Sequence, residues 1–260
     1  MDISYDWQAA LVTVVSIIAT VIIGKFILLK IPAFKHTEAV NKFEHKRKWR
    51  ELGKKYHHRV KVSQQIGLVT NLIFFFLVMP FIVTLEPRSV GSILLDVVLI
   101  LMIYDFFYYI THRFLFHGQG WWRRVHAVHH QARTRISSID SLLLHPAETI
   151  TGLALFYVTT VLIMLFTGEP FHAATIILTY VTFTQLNQFN HCRVDLDYFP
   201  FKTLNRIAIM HDAHHINMHK GNFATITLFY DWLFRTLEKP VEQVPLDIGD
   251  IDKNAEPQVG

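Results

Sequence analysis

Between Val90 and His130 the chain reads VGSILLDVVLILMIYDFFYYITHRFLFHGQGWWRRVHAVHH. Val90 to Ile110 is an apolar run of about the 20 residues needed to cross a hydrocarbon core. Directly behind it come His112, His117, His126, His129 and His130. The last three form the pattern His-x-x-His-His, which recurs at His211, His214 and His215. Counting the flanking His145, His191 and His219, eleven of the sixteen histidines fall in these two windows.

Histidines at this density ask for metal. On a helix, positions i, i+3 and i+4 share a face with Cβ atoms about 5 to 6 Å apart, so each pattern is expected to aim three imidazoles at one point. Two such half-cages, completed by His112, His117 and His191, offer about nine nitrogen donors. A single zinc takes roughly four, which implies two ions. The scattered His36, His45, His57, His58 and His172 read as ordinary hydrogen-bonded residues.

The rest of the chain places this centre at a membrane. With 51% hydrophobic and 18% charged residues, the 260-residue chain carries more apolar sequence than a soluble domain needs. Five segments approach spanning length: Ala9 to Leu29, Ile66 to Leu85, Val90 to Ile110, Thr149 to Thr167, and Phe171 to Phe189. Turn-like Glu86-Pro87-Arg88-Ser89 and Gly168-Glu169-Pro170 separate the later ones. Asp2 and Asp6 stand where a signal peptide has basic residues, so the first segment reads as a span. The expected fold is all-α: a multi-pass transmembrane helical bundle of about 4–5 spans with a cytoplasmic, histidine-rich di-metal cap.

Residues 30–61 hold eleven Lys and Arg against three Glu, which assigns that loop to the cytoplasm. The third span then returns to the cytoplasm before His112, and the fourth and fifth form a hairpin returning before His191. Both histidine windows therefore meet on one face; an odd number of spans between them would forbid a shared site. Topology explains the basic loop, with anionic lipid headgroups or an acidic electron carrier as its functional reading. Three regions are expected: 1–65, an N-terminal span and basic loop; 66–238, the catalytic membrane domain; and 239–260, an acidic tail. From Glu238 onward six acids face only Lys239 and Lys253. The single Cys192 excludes an intramolecular disulfide and a cysteine-rich zinc module. Nothing in the chain calls for nucleic acid.

Imidazole suits zinc, copper, nickel or iron. A cage at the ends of apolar helices can receive a lipid whose tail stays in the bilayer, and oxidising an unactivated C–H bond requires redox metal with O₂. Zinc lacks that chemistry, which favours iron. Two other classes stay open: a zinc-dependent membrane hydrolase, and a non-catalytic metal-binding or metal-carrying membrane protein. The histidine count exceeds the three protein ligands of an open zinc site, and the histidines lie beyond the spans, where a transport path would not place them.

The motifs THRFLFH, WWRRVHAVHH, LLLHPAE, FNHCRVDLD, HDAHH, GNFA and DWLF, within about residues 95 to 238, resemble the fatty acid hydroxylase superfamily, which includes sterol desaturases, C4-methylsterol oxidases and sphingolipid hydroxylases. The resemblance implies an integral-membrane di-iron oxygenase that hydroxylates or desaturates a lipid, using O₂ and electrons from a separate donor of cytochrome b5 or ferredoxin type. It implies as metal ligands His112, His117, His126, His129, His130, His191, His211, His214 and His215. His145, in the HPxE-like motif, and Asn187, where some relatives carry a further ligand, are candidate ligands or supporting groups. Asp105, two turns before His112, is placed to accept a ligand's free ring N–H, as are Glu148 and Asp212. Relatives usually read LFGT where this chain has Leu233-Phe234-Arg235-Thr236, so the backbone there is expected to differ. The segment Ala224 to Leu237 is expected to lie along the membrane surface and roof the cavity. The chain shows no ER retrieval signal, which points to a bacterial inner membrane rather than the endoplasmic reticulum.

Overall fold

The computed structural model of the protein describes residues 4–133, 136–194 and 196–240. Most of the acidic tail, 241–260, lies outside the described residues. The described residues fold as eight α-helices with a two-residue strand pairing, an all-α bundle as expected. Among the described residues, four helical stretches are long and apolar enough to cross a membrane: Trp7–Leu28, Pro32–Phe81, Val90–Phe116 and Pro146–Thr167. The fifth expected span becomes β2 (Phe171–His172) and the 17-residue α6 (Ala173–Phe189). This helix packs against α1 (Trp7–Leu28) and α3 (Val90–Ile110).

The hairpin direction follows from the ends of the helices. At one side β1 (Val83–Thr84) pairs in parallel with β2, tying the turn before α3 to the turn after α5 (Pro146–Thr167). There Arg88 bridges Glu169 at 2.6 Å and Asp96 at 3.9 Å, supplying the partner that Asp96 needs inside an apolar helix. The Asp6 amide donates to Pro80 on that same side, so α1 starts far from the histidines. The end of α3, the start of α5 and the end of α6 all reach the opposite side, where the histidines gather. Both histidine windows thus lie at one end of the bundle, with the α5–α6 hairpin between them.

The basic segment is no loop. Residues 32–77 form one long helix, α2 (Pro32–Leu77), broken only at Gly53, whose φ of +65° suits glycine. It runs through residues 65–66 without interruption. Charged composition and helix are compatible because Val40, Glu44 and Lys48 repeat every four residues and form one buried stripe. Each buried charge has its partner: Glu44 pairs with Arg193 at 3.1 Å, and Lys48 with Asp140, which also accepts from Tyr56 at 2.7 Å. Asn41 donates to the Arg193 carbonyl at 2.9 Å and accepts from the Ser138 amide at 3.1 Å. The segment therefore clamps the two loops that carry the histidines, while Lys42, Lys46, Arg50, Lys54 and Lys55 stay exposed.

Candidate metal centre

All nine expected ligands converge, in two groups. His112, His117, His126, His130 and His214 form one, and His129, His191, His211 and His215 the other; within each, one ring nitrogen per residue lies within 4.8 Å of the rest. The division corrects the half-cage expectation. Each His-x-x-His-His splits: its first and last members serve one group and its middle member serves the other. Successive helical positions are about 100° apart, so i and i+4 differ by about 40° while i+3 points about 100° from i+4. The Nε2 atoms of His126 and His130 are accordingly 3.0 Å apart, and those of His211 and His215 are 3.1 Å apart. His129 and His214 cross over to the opposite groups.

Backbone geometry arranges the rest. Only the second pattern sits on a continuous helix, α7 (Phe201–Ile216). The first straddles the end of α4 (Trp121–His126) and a short 3₁₀ turn, His129–Gln131. Beyond α3 the chain widens over Thr111–Phe116 into a π-helical turn, with the His117 amide donating to the His112 carbonyl at 3.0 Å. On a regular α-helix a spacing of five would turn two side chains about 140° apart. The wider turn brings the His112 and His117 rings to 5.0 Å between centroids.

These contacts suit a cation. His112 Nδ1 faces the Phe223 carbonyl at 2.7 Å and His214 Nδ1 the Gly221 carbonyl at 2.9 Å, so both Nδ1 atoms carry the proton. Their Nε2 atoms, 3.2 Å apart, then present two lone pairs to each other. The same holds for His129 and His191, with Nδ1 atoms on the carbonyls of Leu143 (3.3 Å) and Asn187 (3.1 Å) and Nε2 atoms 3.1 Å apart. Facing lone pairs repel unless a positive ion lies between them. Neighbouring ligands at right angles around an ion at about 2.1 Å would be about 3.0 Å apart, matching these separations. His117 Nε2 is buried with no protein partner among the described residues. Burial also holds the imidazoles neutral: it drives His117 and His191 down to about 4, His130 to about 2, and lowers His126, His129, His211, His214 and His215 well below the usual value. A neutral ring is the form that binds metal. The donor set fits two ions.

The supporting groups differ from expectation in part. Glu148 accepts from His126 Nδ1 at 2.6 Å, as anticipated. Asp105 does not touch a histidine ring. Its fully buried carboxylate accepts the amides of Thr225, Ile226 and Thr227 at 2.8 to 3.0 Å and the Thr227 hydroxyl at 2.8 Å. His145 stands outside both groups as the N-cap of α5, its Nδ1 accepting from the Ala147 amide at 3.1 Å. The Asn187 side chain donates to Phe183 and accepts from Thr225, and its carbonyl accepts from His191.

The segment 218–227 was missed as a source of ligand support. Its carbonyls from Met218, Gly221 and Phe223 accept from His117, His214 and His112. Asp231 pins it by accepting the amides of Phe223 and Ala224, each at 2.8 Å. Gly221 must be glycine, because a Cβ there would lie 1.7 Å from the Thr236 carbonyl. Asn222, at φ +65°, holds Met210 and Glu238 through its side chain. The motifs GNFA and DWLF are therefore two halves of one support, a signal visible in sequence only as Gly-Asn followed by a lone buried aspartate. Arg235, within Leu233-Phe234-Arg235-Thr236, adopts φ +57°, in the left-handed region that favours glycine.

A cavity of about 390 Å³ opens beside the four-histidine group. It is lined by His129, His191 and His211 at one end and runs between α2, α3, α5 and α6 along Tyr104, Tyr108, Leu153 and Phe183 to Asn71 and Tyr180. Thr225 roofs it, held by the Asp105 clamp. Leu68, also on its wall, is 58% exposed on the lipid-facing side of the bundle.

Residues 97–236, more than half of the chain, match the model of the fatty acid hydroxylase family. The chain belongs to that family. It is similar to cholesterol 25-hydroxylase-like protein 2 of Danio rerio, with 31% identity over 60% of this chain and 54% of the relative. It is also similar to methylsterol monooxygenase 2-2 of Arabidopsis thaliana (30%, covering 52% and 49%) and to a Dictyostelium discoideum protein provisionally named a methylsterol monooxygenase (32%, covering 58% and 54%). The chain spans about half the length of these curated relatives. No solved structure matches it. All nine clustered histidines, and the supports Glu148 and Asp231, fall within the family region.

Proposed function

We propose that this fatty acid hydroxylase family member is an integral-membrane di-iron oxygenase that hydroxylates or desaturates a membrane lipid, using O₂ and electrons from a separate carrier. The observation that carries this reading is the cavity: it begins among the apolar helices and ends on three histidines of one group. Its volume lies in the range of small-molecule sites. The sterol-acting names of the relatives favour a sterol or a similarly apolar lipid.

When bound, a pair of iron ions supplies the redox chemistry with O₂ that an unactivated C–H bond demands. His112, His117, His126, His130 and His214 would hold one ion, and His129, His191, His211 and His215 the other. The protein's own contribution is positional. Glu148 and the carbonyls of 218–223 keep the ligand protons on Nδ1 and leave Nε2 free. Tyr104, Phe183 and Leu153 wall a largely apolar channel that excludes water and aligns the lipid. The Asp105 clamp holds Thr225 over the channel. Exposed Lys46, Arg50, Lys54, Lys55, Arg123 and Arg124 offer basic docking for an acidic electron carrier of cytochrome b5 or ferredoxin type. The same basic residues, by the positive-inside rule, face the centre to the cytoplasm, in a bacterial inner membrane.

The test is elemental analysis with Mössbauer spectroscopy on detergent-purified protein, followed by ¹⁸O₂ incubation with reductant and sterol or total lipid extract. The expected result is close to two irons per chain with ¹⁸O or a new double bond in a lipid product, both lost in His129→Ala with His214→Ala. One zinc per chain and no oxidised lipid would return the hydrolase reading.

A further inference from the structure

The cavity has a second end, and it is polar. Asn71 and Tyr180 line it there, with Tyr157 behind them. The Tyr157 hydroxyl donates to Asn71 Oδ1, and Tyr180 lines the cavity beside Asn71. This end lies deep in the spans. Asn71 is eight residues beyond Ser63, which bonds Thr149 beside Glu148 at 3.0 Å. Tyr180 is eleven residues before His191. At 1.5 Å per helical residue these separations are about 12 and 16 Å.

Polar groups inside apolar spans are costly, and they persist where they pair or line a cavity. Mutual pairing accounts for only part of this cluster. An asparagine amide carries two N–H donors and an oxygen with two lone pairs, more than two phenols consume. A purely structural tie would bury all three groups between helices. Here Asn71 and Tyr180 face the cavity, and only Tyr157 stands off its wall. The stretch in between is lined by Leu68, Leu153, Tyr104 and Phe183, with Thr184 one turn from Tyr180, and the Asn71 amide lies beyond it on α2.

We infer that Asn71, oriented by Tyr157, is a specificity-determining residue that hydrogen-bonds a hydroxyl or oxo group of the lipid substrate and so sets which carbon reaches the four-histidine group. The substrate class is then a lipid bearing one such group about 12 to 16 Å from the carbon to be oxidised. A lipid with its polar group adjacent to the reacting carbon would leave the Asn71 amide unpaired. This rests on the lipid-oxygenase reading, but it concerns recognition alone. Asn71 also lies outside residues 97–236, so this selection belongs to the chain's own α2 and not to the family-matched region.

The experiment measures equilibrium binding to the metal-loaded protein in phosphatidylcholine nanodiscs, without O₂ or reductant, so that failure of the oxidation chemistry cannot affect it. Two matched probe pairs are used: cholesterol with 5-cholestene, and 1-hexadecanol with hexadecane. The wild type is expected to retain the hydroxylated member about fivefold more strongly in at least one pair, the effect of one neutral hydrogen bond. Asn71→Leu should erase that preference while leaving the deoxy partner's binding in place, and Tyr180→Phe should reduce it. Metal content reports whether each variant is folded, and Tyr180→Phe decides the matter if Asn71→Leu is not. No preference in either pair for the wild type, or an unchanged preference in the folded variants, would overturn the assignment.

Discussion

The two histidine groups use one residue type and opposite kinds of support. In the five-histidine group every Nδ1 has an acceptor: Phe223, Met218, Gly221 and His215 carbonyls and the Glu148 carboxylate. In the four-histidine group His129 and His191 lean on carbonyls, while the Nδ1 atoms of His211 and His215 are buried with no partner among the described residues. The four-histidine group also borders the cavity, and the five-histidine group does not. Rings held from behind keep a fixed ligand field; rings with free Nδ1 atoms can shift. On the function proposed above, the five-histidine group would be the closed position and the four-histidine group, beside the cavity, the adjustable one.

The sharpest way to break this contrast is to remove one ligand from each side. His211→Ala leaves three nitrogens in the open group and is expected to abolish turnover and lower retained metal to about one ion per chain, whereas His130→Ala leaves a closed set of four and keeps close to two. Equal losses in elemental analysis would mean the groups are equivalent. Next in size, Asp231→Ala frees the segment whose carbonyls support His112, His117 and His214. It should weaken one ion by about 10- to 100-fold and spare the other, so metal titration should turn biphasic. A uniform loss of both ions would show Asp231 to be a general folding residue.

A third probe leaves the metals alone. Gly152 lines the cavity, and a Cβ there meets nothing within 4 Å, so Gly152→Phe should fill the channel. Turnover is expected to fall roughly tenfold or more with both ions retained, since displaced substrate loses its alignment. The fourth concerns pH. His117 and His191 sit at about 4 in the folded protein against an ordinary 6.5, because burial disfavours the charged ring. As pH falls the unfolded chain takes up protons first. Metal-free protein should therefore keep its full stability above 6.5 and lose it progressively between 6.5 and about 4, while bound metal flattens that slope. Thermal melts at several pH values, with and without metal, measure it. The smallest effect is expected at Arg235→Gly. Relief of a left-handed residue, about 1 to 2 kcal/mol, is partly offset by glycine's greater freedom in the unfolded chain. A net gain of about 1 kcal/mol or less should appear in denaturant unfolding.

Much of the architecture was legible because its signals are periodic or compositional. Apolar runs of membrane length marked four spanning helices, and α6, expected as a fifth span, forms a shorter helix that still returns to the histidine end. The nine clustered histidines were legible because imidazoles crowded this closely repel one another as cations and suit a metal. The basic segment 30–61 misled because charge reads as solvated loop. Its helical stripe of Val40, Glu44 and Lys48 makes sense only opposite Arg193 and Asp140, which are about 90 to 150 residues away. Asp105 misled for a similar reason: its helical phase matched His112, but three amides from residues 225–227 occupy its carboxylate.

The sequence by itself determined the residue inventory of the centre, the membrane setting and the shared face of the two windows, since each follows from local chemistry and spacing. Tertiary structure alone decided which histidine joins which group, which carbonyls and carboxylates hold the rings, and where the cavity ends. Those outcomes depend on about 100° of side-chain rotation per residue and on contacts between segments far apart in the chain, and neither is written in local order.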